Sequence, residues 1–369
     1  MFPALATNDC TYLNTGSSGP PPYYVLEATS EADDLCSGPA YLEGLGLFHH
    51  QAETNSRGRE AAARLVGADE VALTQNTTHG MNLGVDAINW RAGDEVVSVT
   101  TEHPGCLVPL HNLRGRFGVE IDLISPPVTP EKIEASLTPN TRLVALSHVD
   151  WTNGEVLSLR EICAVARERE VLTLVDGAQS VGNIPVDVPA TGADMYAFTG
   201  HKWVLGPEGI GAFYVRPGLP VYSPNVGLLS LADPADFDIE GAYELRSDAR
   251  RFEASTMNPA LAGGFAAAAE AVYRRGDAWF EEIRHRADLL MDLLSEVPRV
   301  TIRSPRPAQC GLVSFEVEGV AAEDAVVRLL ERGFILRYLP DPNSYVRAST
   351  HLFNTEEELE ALAKAVREI

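Results

Sequence analysis

Residues 171–215 read VLTLVDGAQSVGNIPVDVPATGADMYAFTGHKWVLGPEGIGAFYV. Three apolar runs stand out: Val171 to Val175, Met195 to Phe198 and Gly211 to Val215. Each is short enough for a strand, and polar or Gly- and Pro-bearing stretches separate them. Working upstream, Val71 to Thr74 is a similar run. A helical pattern follows it from about Thr77, with Met81, Val85 and Ile88 at helical spacing. Glu95 to Val99 reads as a strand, as does Val119 to Leu123 after a helix near Val108 to Phe117. Leu143 to Ser147 reads as another, with a helix over Leu159 to Arg169 behind it. Alternating strands and helices predict an α/β fold with a mostly parallel sheet covered on both faces.

The pattern changes after about residue 258. Long helices are expected over Leu261 to Tyr273 and Ala278 to Leu294, then strands at Val300 to Arg303 and Gly311 to Val317. A helix near Ala322 to Arg332 precedes strands around Phe334 to Tyr338 and Tyr345 to Ala348. Thr355 and Glu358 form a capping-box signature for the last helix. The reading gives a large domain over 15–258 and a smaller α+β domain over 259–369 that includes the segment 1–14. Residues 216–258 are irregular and rich in Asp, Pro and Gly, a composition that often marks function.

The 369 residues suffice for about two domains and a core that needs no staples. Against 29 basic residues stand 52 acidic ones, a net charge of −23. That field repels nucleic acid and anionic membrane surfaces, so neither is expected as a partner. No apolar run reaches the roughly 18 residues of a membrane span, and Met1 to Asp9 lacks the features of a secretory leader. Five scattered cysteines without zinc-like spacing predict free thiols, a cytoplasmic setting and no metal site.

Chemistry concentrates at the ends of the predicted strands. Lys202, in Thr199-Gly200-His201-Lys202-Trp203, follows the Met195 run, at the strand end where open α/β sheets bind ligands. A lysine of lowered pKa forms a Schiff base with a carbonyl cofactor. Asp176 closes the preceding strand, about one helix and one strand of sequence before Lys202. Pyridoxal phosphate (PLP) requires this pair: a lysine for its aldehyde and a carboxylate for its pyridine nitrogen. Thr74-Gln75-Asn76-Thr77-Thr78-His79-Gly80 lies between strand and helix, where free N–H groups and hydroxyls suit a phosphate. An imidazole such as His103, in Thr101-Glu102-His103-Pro104-Gly105, can stack on a planar cofactor and help with proton transfer; a structural role is the alternative.

Taken in order, these motifs resemble the class V aminotransferase and cysteine desulfurase-like PLP enzymes, of fold type I. The likeness runs from Tyr12-Leu13-Asn14-Thr15-Gly16 to Arg347-Ala348-Ser349 and the final helix. The resemblance implies that Lys202 carries the Schiff base, Asp176 pairs with the pyridine nitrogen and Gln179 reaches the ring oxygen. It implies that His103 stacks on the ring and that Asn76, Thr77, Thr199 and His201 hold the phosphate. Arg347 would grip the substrate carboxylate, with Asn14, Gly16 and Trp151 lining the substrate pocket. Thr256 would approach the neighbouring subunit's cofactor in a homodimer.

Two departures direct the reading within that family. Desulfurases place a nucleophilic cysteine on a mobile loop, yet the stretch from Leu336 to Val346 has none, and the surroundings of Cys310 do not resemble such a loop. Trp151 stands where desulfurases tend to have asparagine. That tryptophan, with the Asp-Pro segment before Arg347, resembles the cystine and cysteine C–S lyase branch. The expectation is a C–S β-lyase cleaving cysteine, cystine or an S-substituted cysteine to pyruvate, ammonia and a thiol or persulfide. Cysteine desulfuration through Cys310, decarboxylating deamination and transamination remain alternatives on the same site, and a non-catalytic binding protein is the alternative of another class.

Overall fold

A computed structural model describes residues 1–6, 10–39 and 46–369. Residues 7–9, the end of the stretch read for a leader, and 40–45, inside the predicted large domain, lie outside the described residues. In chain order the strands are β1 (Thr11–Tyr12), β2 (Ala72–Thr74), β3 (Glu95–Val99), β4 (Glu120–Ile124) and β5 (Thr141–Ser147). β6 (Leu172–Asp176), β7 (Met195–Thr199), β8 (Gly211–Val215) and β9 (Val300–Ile302) follow. The last are β10 (Leu312–Val317), β11 (Phe334–Ile335), β12 (Arg337–Tyr338) and β13 (Val346–Ser349).

Seven strands form one sheet in the order β2-β8-β7-β6-β5-β3-β4. Every pair is parallel except the two that β8 makes with β2 and β7. The reversal has a simple cause. Residues 200–210, between β7 and β8, are fewer than the dozen or so a parallel crossover needs.

Side chains alternate between the faces of this sheet. In β7, Met195 and Ala197 enter one core, Tyr196 and Phe198 the other. β5 divides likewise, Leu143 and Ala145 against Val144 and Leu146. Helices Thr77–Asp86 and Pro104–Phe117 cover the first face with Met81, Val85, Leu110 and Leu113. Helices Leu159–Glu168 and Pro259–Arg275 cover the second with Ile162, Cys163, Phe265 and Ala269. Burying each large apolar side chain stabilises by about 1.5–3 kcal/mol. With both faces buried, the central strands keep no polar side, which is why they read as continuous apolar runs.

The helix expected from Val108 begins at Pro104, because His103 caps it and proline suits the first helical position. Helices Tyr23–Ser37 and Gly46–Leu65 occupy a stretch for which the sequence reading assigned no element. The first buries only Val25, Ala32 and Cys36 and leaves Tyr23, Leu26 and Leu35 exposed, so its apolar period is blurred.

A second sheet, β12-β13-β10-β9, is antiparallel throughout. Val313 and Phe315 of β10 pack there with Leu290, Met291 and Leu294 of helix Asp277–Ser295 and with Leu359 and Leu362 of the last helix. That last helix carries the expected reciprocal cap between Thr355 and Glu358. The run Phe334 to Tyr338, read as one strand, is two. Phe334–Ile335 pairs with β1, whereas Arg337–Tyr338 pairs with β13. Leu336, buried between them, is the pivot.

Candidate active site

A cavity of about 360 Å³ opens at the C-terminal ends of β6 and β7. Lys202 enters it from the turn after β7. That turn folds back through bonds from Leu205 N to Lys202 O (3.1 Å) and from Gly206 N to Gly200 O (2.8 Å). Leu205 has φ +62°, a left-handed conformation that costs a leucine about 1–3 kcal/mol and that tends to occur near functional sites. Burial, with help from Arg347 and Arg337, lowers the Lys202 pKa to about 8, while Asp176 opposes the shift. Asp176 ends β6, and its Oδ1 accepts the Ala178 N–H at 2.9 Å. Burial raises its pKa, and the Ala178 bond and Lys202 pull it back.

His103 caps helix Pro104–Phe117: its Nδ1 accepts the Gly105 N–H at 3.0 Å. That bond assigns the proton of the neutral ring to Nε2. Burial first, then Lys202, Arg337 and Arg347, depress its pKa to about 4, so the ring is uncharged near neutrality. It meets Trp151 edge-on, with centroids 5.0 Å apart. Trp151 donates its indole N–H to Thr101 O at 2.7 Å and offers its carbonyl to Arg347 Nη1 at 2.9 Å. The Arg337 and Arg347 guanidinium carbons stand 5.5 and 5.8 Å from its ring centre.

Arg347 is 0% exposed, and burial followed by repulsion from Arg337 lowers its pKa to about 9. Its Nη2 donates to Ser17 Oγ at 3.4 Å, and Arg337 Nη1 donates to the same oxygen at 3.2 Å. Its Nε has no partner among the described residues. Among the described residues neither arginine forms an ion pair. Two uncompensated guanidinium groups in a chain of net charge −23 focus positive potential on the cavity and fit an anion there. Gly16 permits the close approach: a Cβ on it would meet Ser349 Oγ at 2.8 Å and Arg347 Nη2 at 3.2 Å.

The opposite end suits a phosphate. Asn76 Oδ1 accepts the His79 N–H at 2.9 Å and caps helix Thr77–Asp86, whose N-terminus faces the cavity. Thr77 Oγ1 is buried without a partner among the described residues, an orphan that a phosphate oxygen would satisfy. Thr199 Oγ1 lies 2.7 Å from His201 Nδ1. With Lys202, Asp176 and this cradle around one cavity, the residues fit PLP.

A family model for class V aminotransferases matches residues 11–362. The chain belongs to that family. A probable cysteine desulfurase of Methanothermobacter thermautotrophicus is 30% identical, the alignment covering 98% of this chain and 95% of the relative. Among solved structures, the cystine C–S lyase C-DES with its reaction product cysteine persulfide superposes with a TM-score of 0.91 at 30% identity, covering 100% of both chains. A C-DES variant with glycine linked to its PLP cofactor matches with the same score and identity, over 100% of this chain and 98% of that one.

In this class V aminotransferase relative, eleven of the residues predicted from sequence line the one cavity: Gly16, Asn76, Thr77, His103, Trp151, Asp176, Gln179, Thr199, His201, Lys202 and Arg347. Asn14 does not line it. It instead accepts the Ser17 hydroxyl at 2.7 Å and so braces the oxygen that both arginines share. Thr256 is exposed and outside the cavity. Sequence reasoning singled out neither Ala178 nor Arg337, and covered Thr78 only within the stretch from Thr74 to Gly80. Arg337 had a signal: it and Arg347 flank a Pro-Asp-Pro-Asn turn, and they stand directly opposite in the β12–β13 register. Cys310 is buried outside the cavity, donates to Gly154 O at 3.3 Å, and has a thiol pKa raised to about 11 by burial.

Proposed function

We propose that this chain is a PLP-dependent C–S β-lyase acting on cystine, cysteine or an S-substituted cysteine, with pyruvate, ammonia and a thiol or persulfide as products. The observation that carries this over desulfuration is the make-up of the cavity. Among the described residues, a lysine, an aspartate and two guanidinium groups without an ion-pair partner line it, and no cysteine does. A desulfurase thiol must reach the substrate sulfur as a thiolate; Cys310 is buried, hydrogen-bonded and held protonated.

When bound, PLP supplies an electron sink for the substrate's Cα. Asp176 would hold a proton on the pyridine nitrogen, and Gln179 would donate to the ring oxygen. Asn76, Thr77, Thr199, His201 and the helix N-terminus would hold the phosphate. Arg347 grips the α-carboxylate as a fork. Lys202 Nζ anchors the cofactor and, once free, takes the Cα proton as general base, a role its pKa of about 8 suits. The Cβ–S bond then breaks and its electron pair leaves with sulfur. Water converts the three-carbon remainder to pyruvate and ammonia. His103, neutral near pH 7, would offer its Nε2 proton to the cofactor from the cavity wall. Arg337 favours a substrate with a second anionic end, as cystine has.

The chain divides into 15–258 and 259–369 with 1–14, and helix Pro259–Arg275 is shared with the large core. A homodimer brings Thr256 to the partner's cofactor; the exposed Tyr222, Leu228, Phe237 and Ile239 of the preceding segment give such a dimer apolar surface to bury. Five free thiols suit the cytoplasm.

The test is a visible spectrum of the PLP-loaded protein with cystine added and pyruvate assayed. The expected result is a band near about 420 nm that shifts as pyruvate accumulates. A persulfide on Cys310 in the intact mass, without pyruvate, would transfer the protein to the desulfurase alternative.

A further inference from the structure

The Gln179 amide meets two partners whose roles leave one orientation. Trp203 Nε1, which can only donate, lies 2.7 Å from Gln179 Oε1. Gly16 O, which can only accept, lies 2.8 Å from Gln179 Nε2. Turning the amide over would set N–H against N–H and oxygen against oxygen. Its NH2 group is therefore fixed at the cavity wall, with a second N–H beyond the one spent on Gly16.

The indole that imposes this is itself immobilised. Trp203 is fully buried and stacks on His351, with centroids 6.0 Å apart and planes 22° from parallel. His351 Nε2 lies 3.1 Å from the Trp203 carbonyl oxygen. Across the ring, a Cβ on Gly311 would come within 2.6 Å of Trp203 Cζ3, so only glycine leaves room. Asn183 ties these parts together: it accepts the Gly311 N–H at 2.8 Å and donates to Gln179 O at 2.9 Å.

We propose that Trp203 is a positioning residue that locks the Gln179 amide as a donor toward the ring oxygen of bound PLP. This rests on the cofactor reading above. A donor at that oxygen stabilises its ionised form, whereas the flipped amide would present an acceptor and destabilise it.

The spectrum of the PLP-loaded protein tests the proposal, because ionised and neutral ring oxygen absorb in different bands. Trp203→Phe keeps the ring and removes the N–H. The band ratio should move about tenfold toward the neutral form, the scale of one hydrogen bond to a charged acceptor. Gln179→Met should move it as far, and the double variant no further. A merely structural role would lower the melting temperature and leave the ratio in place; that result, or additive shifts, overturns the proposal. If Trp203→Phe does not fold, Gln179→Glu takes its place: it keeps an acceptor for the indole but has no N–H, and an unchanged ratio overturns the proposal equally. A wild-type protein that gains no band with PLP overturns the cofactor reading and this inference together. A wild-type band that Trp203→Phe leaves unmoved overturns this inference alone.

Discussion

At the lysine end of the cavity, Thr77, Asp176, Thr199 and Lys202 each lie on a strand's last residue or a few residues past it. At the arginine end, Ser17, Trp151, Arg337 and Arg347 come from four separate stretches of chain. The β12–β13 register, the bridge between Asn14 and Ser349 and the Arg347 bond to the Trp151 carbonyl bring them together. A parallel sheet aligns its strand ends by construction, so local sequence suffices to place chemistry there. The arginine end exists only after distant segments have paired. On the proposed function, the lysine end would govern whether the reaction occurs and the arginine end which substrate undergoes it.

The largest break in that comparison comes from Lys202→Ala. Turnover to pyruvate should fall about 10⁴-fold, and near-normal rates in a coupled pyruvate assay would remove the lysine end from the chemistry. Next come the arginines. Arg347→Leu should lower kcat/KM about 10- to 100-fold for every substrate, since it removes charge-assisted bonds to the α-carboxylate. Arg337→Leu should cost about tenfold on cystine and little on S-methylcysteine, which lacks a second carboxylate. Equal losses on both substrates would erase the distinction between the two arginines.

The smallest effect links the two ends. Only the neutral Lys202 amine captures PLP, so the capture rate of the cofactor-free protein should rise with pH and level off above about 8. Arg337 helps to lower that pKa by repelling the ammonium. Arg337→Leu should therefore move the midpoint upward, read from the growth of the visible band. A midpoint that stays or falls would show the ends to be electrically independent.

What was legible follows this division. Continuous apolar runs identified the central strands because both faces of the sheet are buried. The carboxylate and the lysine stood at the ends of those runs. The Thr355 cap was readable because its bonds close within one helical turn. Arg337 was hidden because its role comes from standing opposite Arg347, and an arginine on a short strand otherwise reads as surface. Asn14 was read as a substrate contact; it lies outside the cavity lining and accepts the Ser17 hydroxyl.

The sequence by itself determined the alternation of elements, the apolar strands and the order of the groups that follow them, since these depend on neighbours a few residues apart. Only the tertiary structure decided the reversal of β8, the splitting of Phe334 to Tyr338, the facing arginines and the Trp203 bond to Gln179. Each of these depends on which strand, backbone or ring packs alongside, and residues remote in sequence supply that partner.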